Sequence, residues 1–434
     1  MATTMISDAS ASDSRRELPF FHTIGVGAGP ANLSLAALHA SATEERIALF
    51  DKQPGPTWHD TLLHSGVRMQ SSWLKDLVSI VDPTHKLSFL NYLVSTGRLF
   101  ALLNAQFDFI PRREYMNYLA WAAGQIDNIH YAVTIDRISL ADDGFVVYSG
   151  DRPLARSEHV VVGVGTRPSI PASLEDLPRE RAFLADDLLL RIGELALDAS
   201  APVAVVGGGQ TGLECVLHLM HAGMTDIRWL GRGQWFQTID DSPVANEFYR
   251  PAHQRFLQDL PRATRRRLVS EQKLTNDAAT PGALRELYQG NYDRMLALGR
   301  FPASLLPGRD VMSGEMRGDQ LVLNCSTNQG IERHHVRHAV MATGRETVDV
   351  PFDAQLRSRI ATEDGEMVVE QDYSVRCEGL DSRRIYAMNR ARMSHGIPDA
   401  NLTLLPVRSA IVLNSMFDRA LFEIHDDLCP ISWR

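Results

Sequence analysis

At 434 residues the chain is long enough for two or three domains with an ample core. Its net charge of −9 excludes the basic footprint that nucleic-acid binding requires, and no apolar run reaches the length of a membrane span. The four cysteines (Cys215, Cys325, Cys377 and Cys429) are far apart and form no Cys-x-x-Cys pair, which excludes a zinc knuckle and a redox dithiol.

Residues 1–19 are polar and lack the apolar segment of a signal peptide, so a disordered tail on a cytoplasmic protein is expected. A strand, "FFHTI", then runs into Gly25-Val26-Gly27-Ala28-Gly29-Pro30 and a helix through "ANLSLAALHA". The first glycine permits a tight turn, and the second lets backbone N–H groups approach a pyrophosphate. Pro30 suits the first turn of a helix, where its missing N–H is not needed. The next strand, "RIALFD", ends in Asp51, an acid placed to accept hydrogen bonds from a ribose, with Lys52 beside it. Strand, glycines, helix, strand and terminal acid together predict an FAD site.

The layout repeats at "VAVVGGGQTGLECVLHL". Gly207, Gly209 and Gly212 surround Gln210 and Thr211, and Leu213, Val216, Leu217 and Met220 line one face of the following helix. Here the second strand, "DIRWLG", leads to Arg232 rather than an acid. An acid repels a 2′-phosphate and an arginine pairs with it, so this site reads as NADP. Two further strands, "VVVGVGTRP" and "HAVMATGRE", end in small residues as chain crossings between two such domains do; the second supplies Ala342, Thr343 and Gly344. The run "ATRRRLVSE" reads as a solvated helix face.

Two dinucleotide sites in one chain imply a flavin reduced internally by NADPH. A disulfide reductase needs a cysteine pair, and a Baeyer–Villiger or common flavin-containing monooxygenase needs Phe-x-Gly-x-x-x-His before the second fingerprint; neither is present. What distinguishes the chain lies after Asp51: "WH" at Trp58 and His59, "MQ" at Met69 and Gln70, "LKDL" around Lys75, "FLNYL" and "PRREYMNYLAW". Later come "DDSPVANEFYRP", "KLTND", "HGIPDANLTLL" and "PVRSAIVLNSMF". With these motifs in order from about Phe20 to Phe417, the sequence resembles the N-hydroxylating amine monooxygenases. These are the lysine N6- and ornithine N5-hydroxylases of hydroxamate siderophore synthesis and their diamine-hydroxylating relatives, and the lysine branch looks nearer than the ornithine one.

The resemblance implies that NADPH reduces FAD, that O2 adds to give a C4a-hydroperoxide, and that the terminal amine of the substrate attacks its distal oxygen. It places Asn246 and Asn276 against the substrate, Asn276 also against the nicotinamide, and Gln70 beside flavin and nicotinamide. It pairs Lys75 with the carboxylate of an amino-acid substrate, where a helix-surface lysine is the alternative. Thr403 stands where some relatives have a serine near flavin and substrate, and Arg345 where relatives often have tyrosine, which leaves its role open. Trp58 and His59 are expected on the flavin side, with His59 packing rather than acting as a base. Only a neutral amine is nucleophilic, and a free alkylammonium has a pKa of about 10.4, so the site must favour deprotonation. Asparagine amides can hold an amine without stabilising its ammonium form.

The expected fold is α/β, with two Rossmann-like dinucleotide-binding domains and a small helical substrate region. The FAD domain takes 20–190 and 346–434, the NADP domain 200–233 and 300–345, and the substrate region 234–299. The expected substrate is lysine, then cadaverine or putrescine, then ornithine, with O2 as co-substrate and no metal. A homo-oligomer, dimer or tetramer, follows from the resemblance. An uncoupled NADPH oxidase and a non-catalytic nucleotide-binding protein are the alternatives.

Overall fold

The computed structural model describes residues 18–426 and 428–433, so the tail expected at the N-terminus lies outside the described residues except for its last two positions. The first sheet contains β1 (Phe20–Val26), β2 (Ile47–Phe50), β3 (Ile129–His130), β4 (Arg137–Ala141), β5 (Gly144–Ser149) and β6 (Arg152–Val162), in spatial order β3-β2-β1-β6-β5-β4. Its centre is parallel: Ile24 of β1 faces Ala48 on one side and Val160 on the other. β2 is buried at every position, as a strand covered on both faces must be. β5 and β4 extend the sheet as an antiparallel hairpin. Val160–Val162 also pair in parallel with the late strand Ile385–Ala387, so the chain returns to this sheet after building the second.

The helix Pro30–Ala42 explains how tightly the first turn is seated. Every residue from Pro30 to His39 is buried. Small residues allow this: Ser34 accepts a 3.0 Å hydrogen bond from Ser409 of the helix Leu405–Met416. Its leucines and alanines also favour the helix intrinsically.

The chain then passes through β7 (Thr166–Pro168) and β8 (Ala182–Leu184) into β9 (Val203–Val206), β10 (Ile227–Gly231) and β11 (Ala303–Pro307). β12 (Asp310–Arg317), β13 (Gln320–Thr327) and β14 (Gly330–Val336) form an antiparallel meander, followed by β15 (His338–Met341) and β16 (Arg345–Thr347). The second sheet is β11-β10-β9-β15-β8, all parallel. The range 20–190 expected for the FAD domain includes β8, but β8 pairs with β15 and belongs to the second sheet. Its three residues, Ala-Phe-Leu, carry no local mark of which sheet they will join. β7 and β16 pair antiparallel and carry the chain out to the second sheet and back.

Between β10 and β11 lie the helices Pro243–Asn246, Pro251–Gln258, Arg262–Glu271 and Pro281–Leu298, each but the third beginning with proline in its first turn. Only Val269 of Arg262–Glu271 is buried, and Arg267 pairs with Glu271 at 3.0 Å on its outer face. Cys215 and Cys325 are buried and Cys377 and Cys429 half-buried, none of them in a disulfide. Among the described residues no helix is long and apolar enough to cross a membrane.

Candidate active site between the two glycine turns

One cavity of about 1890 Å³ runs from the first glycine turn to the second along the carboxyl ends of both sheets. This is where open α/β sheets bind ligands, and it exceeds the roughly 300–1,000 Å³ of a single small-molecule pocket. Gly27, Gly29, Pro30, Asp51, Lys52, Trp58 and His59 line one end. Gly207, Gly209, Gln210, Thr211 and Arg232 line the other, with Ala342, Thr343 and Gly344 at the crossing and Asn276 on the wall.

Both turns are made the same way. Gly27 (φ +99°) and Gly207 (φ +129°) take a backbone conformation that side chains disfavour, and a Cβ on either would meet a carbonyl oxygen, that of Gly163 at 2.4 Å or of Ala342 at 2.1 Å. Gly29 and Gly209 are different: nothing lies within 4 Å of where their Cβ would be. They leave an open cradle at a helix N-terminus, the feature a pyrophosphate needs. Gly25 and Gly212 do not line the cavity. Each permits close packing, a Cβ on Gly25 falling 2.4 Å from Leu49 and one on Gly212 falling 2.1 Å from the Gly207 carbonyl oxygen.

Asp51 accepts hydrogen bonds from the Ala28 N–H at 2.6 Å and the Gln53 N–H at 2.8 Å, which fixes its carboxylate against the glycine turn. Arg232 is exposed and has no ion-pair partner among the described residues. Gln210 donates to Glu214 at 2.9 Å and accepts from the Thr280 N–H at 2.8 Å, tying the second turn to the helical region. Glu214 in turn receives a bidentate ion pair from Arg112, both side chains nearly buried, which joins the first unit to the second.

His59 stands edge-on to Trp58, ring centroids 4.8 Å apart, with a left-handed backbone (φ +52°). Burial, helped by Arg345 and Arg112, pushes its pKa down to about 4, so the imidazole is neutral at physiological pH. Arg345 has a definite task. Its Nε donates to Thr166 Oγ1 at 2.9 Å and its Nη1 meets Asp186 at 3.2 Å, and the same Asp186 accepts from Thr61. It clamps β16 to β7, and through Asp186 to the loop of the first unit.

Lys75 lies outside the cavity wall, in an irregular segment rather than on a helix. The segment is knotted around buried Asp76, which accepts from the N–H groups of Val78, Ser79 and Phe89 at 2.9, 2.7 and 2.7 Å. Lys75 is half-buried with no carboxylate partner among the described residues, and desolvation lowers its pKa. Gln70 is exposed and also outside the wall. Asn246 is exposed, its Nδ2 turned back onto the Asp241 and Ser242 carbonyls at 3.1 Å. Thr403 is buried behind the wall.

Several residues that the motifs did not single out belong to the site. Asn401 bonds Asn276 at 3.0 Å and Thr403 at 2.7 Å, and Arg392 pairs with Asp277 at 3.1 Å. The quoted stretch "HGIPDANLTLL" contains Asn401, but nothing local marks it as a partner of a residue 125 positions earlier.

Residues 19–347 match the family described as L-lysine 6-monooxygenase/L-ornithine 5-monooxygenase. The chain is 30% identical over 421 residues to L-lysine N6-monooxygenase of Escherichia coli, covering 95% of this chain and 98% of that one. It is 25% identical to putrescine N-hydroxylase of Shewanella oneidensis, covering 93% and 82%. The cadaverine monooxygenase of desferrioxamine biosynthesis from Erwinia amylovora, solved bound to FAD, shares the fold with a TM-score of 0.88 at 22% identity, over 96% of this chain and 98% of that one. The chain thus belongs to the L-lysine 6-monooxygenase/L-ornithine 5-monooxygenase family of N-hydroxylating flavin monooxygenases.

Proposed function

We propose that the chain N-hydroxylates the terminal primary amine of L-lysine, for hydroxamate siderophore biosynthesis, with FAD on the first glycine turn and NADPH on the second. The observation that carries this is the continuity of one cavity from turn to turn, with the Asn276 amide on its wall. FAD is held by Gly27, Gly29, Pro30 and Asp51, with Lys52, Trp58 and His59 alongside; NADPH is held by Gly207, Gly209, Gln210, Thr211 and Arg232, with Ala342, Thr343 and Gly344 at the crossing. Gly25 and Gly212 act by letting these turns pack. Bound there, the two cofactors and O2 supply an electrophilic oxygen atom. The protein presents the amine to it in neutral form. Asn276, and Asn246 and Thr403 as the resemblance assigns them, offer amide and hydroxyl groups, which do not favour the ammonium as a carboxylate would. Neutral His59 adds no charge near the flavin. Gln70 is assigned to the flavin–nicotinamide contact by resemblance, which requires a shift from its exposed position. The cytoplasm as location, and a dimer or tetramer as assembly, belong to the same reading.

Lysine is preferred because Lys75, half-buried and without a carboxylate partner among the described residues, is suited to a substrate carboxylate and repulsive to a second ammonium, although like Gln70 it must shift to reach the cavity. The similarity to the putrescine N-hydroxylase and the cadaverine monooxygenase favours a diamine as the second reading. The deciding measurement is hydroxylamine formed with NADPH, FAD and O2 from lysine, cadaverine, putrescine and ornithine, against a control without amine. Lysine is expected to give product, and Lys75→Ala to raise its KM about thirtyfold, the loss of one charge-assisted pair of about 2 kcal/mol. Product from diamines alone would overturn the assignment of Lys75. Peroxide without hydroxylamine from any amine would overturn the function.

A further inference from the structure

The side chains joining Thr403 to Asn276 form a chain of hydrogen bonds in which every donor points the same way. The Thr403 hydroxyl donates to Asn401 Oδ1 at 2.7 Å, and the Thr403 N–H donates to the same oxygen at 2.9 Å. Asn401 Nδ2 donates to Asn276 Oδ1 at 3.0 Å, and Asn276 Nδ2 donates to Asp277 Oδ1 at 2.6 Å. The other oxygen of Asp277 accepts from Arg392 at 3.1 Å. A carboxylate so paired only accepts, so Asn276 must turn its NH2 towards Asp277 and its oxygen towards Asn401. The far end imposes the same polarity independently. Asn401 caps the short turn Leu402–Leu404 through the Thr403 N–H, which requires its oxygen there and leaves its NH2 for Asn276.

We infer that Asn401 is a positioning residue that fixes the rotation of the Asn276 amide, holding its carbonyl back on Asn401 and its NH2 beside Asp277 on the cavity wall. This rests on the amine-hydroxylase reading above. A neutral primary amine can both donate and accept, so an amide free to flip would meet it in two ways, whereas one held in a single orientation meets it in one. Asn276 lines the cavity, whereas Asn401 does not, so Asn401 acts through Asn276. The Arg392 guanidinium offsets the charge of Asp277, which would otherwise draw the amine towards its ammonium form.

Asn401→Ser separates this role from the cap. Serine caps a turn as well as asparagine does and is likewise neutral, but it is too short to replace the bond to Asn276. The full-length holoenzyme is assayed for hydroxylamine formed per NADPH oxidised at saturating amine, with thermal stability measured in parallel. The expected result is about a tenfold fall in that ratio, the effect of one lost hydrogen bond, with the melting temperature unchanged. In an Asn276→Ala background, Asn401→Ser is expected to change the ratio by less than about twofold, because its target is gone. Wild-type coupling in Asn401→Ser, or effects of the two substitutions that multiply, would overturn the inference while leaving the function standing. A wild-type enzyme that hydroxylates none of the four amines would overturn both.

Discussion

The first glycine turn closes on an acid and the second on a base, although their backbones repeat one device. In each, a positive-φ glycine meets a carbonyl oxygen from the neighbouring strand end, and a second glycine faces open space. At the first, Asp51 is already bonded by Ala28 and Gln53, so the acid is rigid before any ligand arrives. At the second, Arg232 is exposed and lacks an ion-pair partner among the described residues. The open cradle is thus a property of the backbone and common to both, while the proposed choice of nucleotide rests on the charge of one side chain at the end of the next strand. The two also differ in depth. Pro30–His39 of the first helix are all buried, whereas the helix after the second turn keeps Gln210, Thr211 and His218 half-exposed. A cofactor retained through every turnover fits the former, and one that binds and leaves fits the latter.

The largest effects come from filling the two backbone contacts. Gly27→Ala places a methyl group against the Gly163 carbonyl and strains φ, and the purified protein is expected to lose FAD, with activity down about a hundredfold or more. Gly207→Ala has the same local cost against Ala342, yet it should leave FAD bound and raise the KM for NADPH instead. Absorbance of bound flavin after purification separates the two. If Gly27→Ala retains its flavin while Gly207→Ala loses it, the assignment of the two turns is reversed.

A somewhat smaller effect tests the side chains. Arg232→Ala removes a charge-assisted contact of about 1.5–3 kcal/mol to a 2′-phosphate and should raise the KM for NADPH about 10- to 100-fold. Turnover with NADH, which lacks that phosphate, should stay the same. Equal losses with both nucleotides would show that Arg232 does not read the phosphate, and the contrast between acid and base would lose its meaning.

Both turns were legible because everything that makes them lies within about thirty residues of chain: a strand, glycines, a helix and the next strand. What was not legible depends on long-range placement. β8 has three residues and no periodicity that could announce its sheet. The segment holding Gln70 and Lys75 has almost no regular structure, so its shape follows from the satisfied carboxylate of Asp76, which looks like any other acid in the sequence. Arg345 departed from the expected tyrosine, and only the approach of Asp186 and Thr166 shows what it does. Asn276 and Thr403 each stand in a stretch that carries the family resemblance, but nothing in either stretch marks Asn401 as the link between them, because the contact spans 125 positions.

The seam that holds the two sites in register supplies the mildest test. His64, from the first unit, lies against His218 on the helix that follows the second turn, with ring centroids 4.5 Å apart. All four ring nitrogens are buried and without hydrogen-bond partners among the described residues. Arg112 and Glu214 pair beside them, and His221 lies one turn further along the helix. Burial, then His218 and Arg112, pushes the His64 pKa down to about 3; burial and then His221 lower that of His218. His64 therefore stays neutral in the folded protein well below pH 6.5, and His218 is shifted in the same direction, while in the unfolded chain both protonate near pH 6.5. Above that pH they leave stability unaffected. As the pH falls from about 6.5 towards 3, the unfolded state takes up protons that the folded state refuses, costing up to about 1.4 kcal/mol per unit for a single histidine. The melting temperature of the wild type should decline through this window, and His64→Phe, which keeps an aromatic ring against His218, should flatten the decline by a few degrees. An identical acid slope in the variant would mean that other groups govern the seam, and that the two nucleotide sites are held in place chiefly by the Arg112–Glu214 pair.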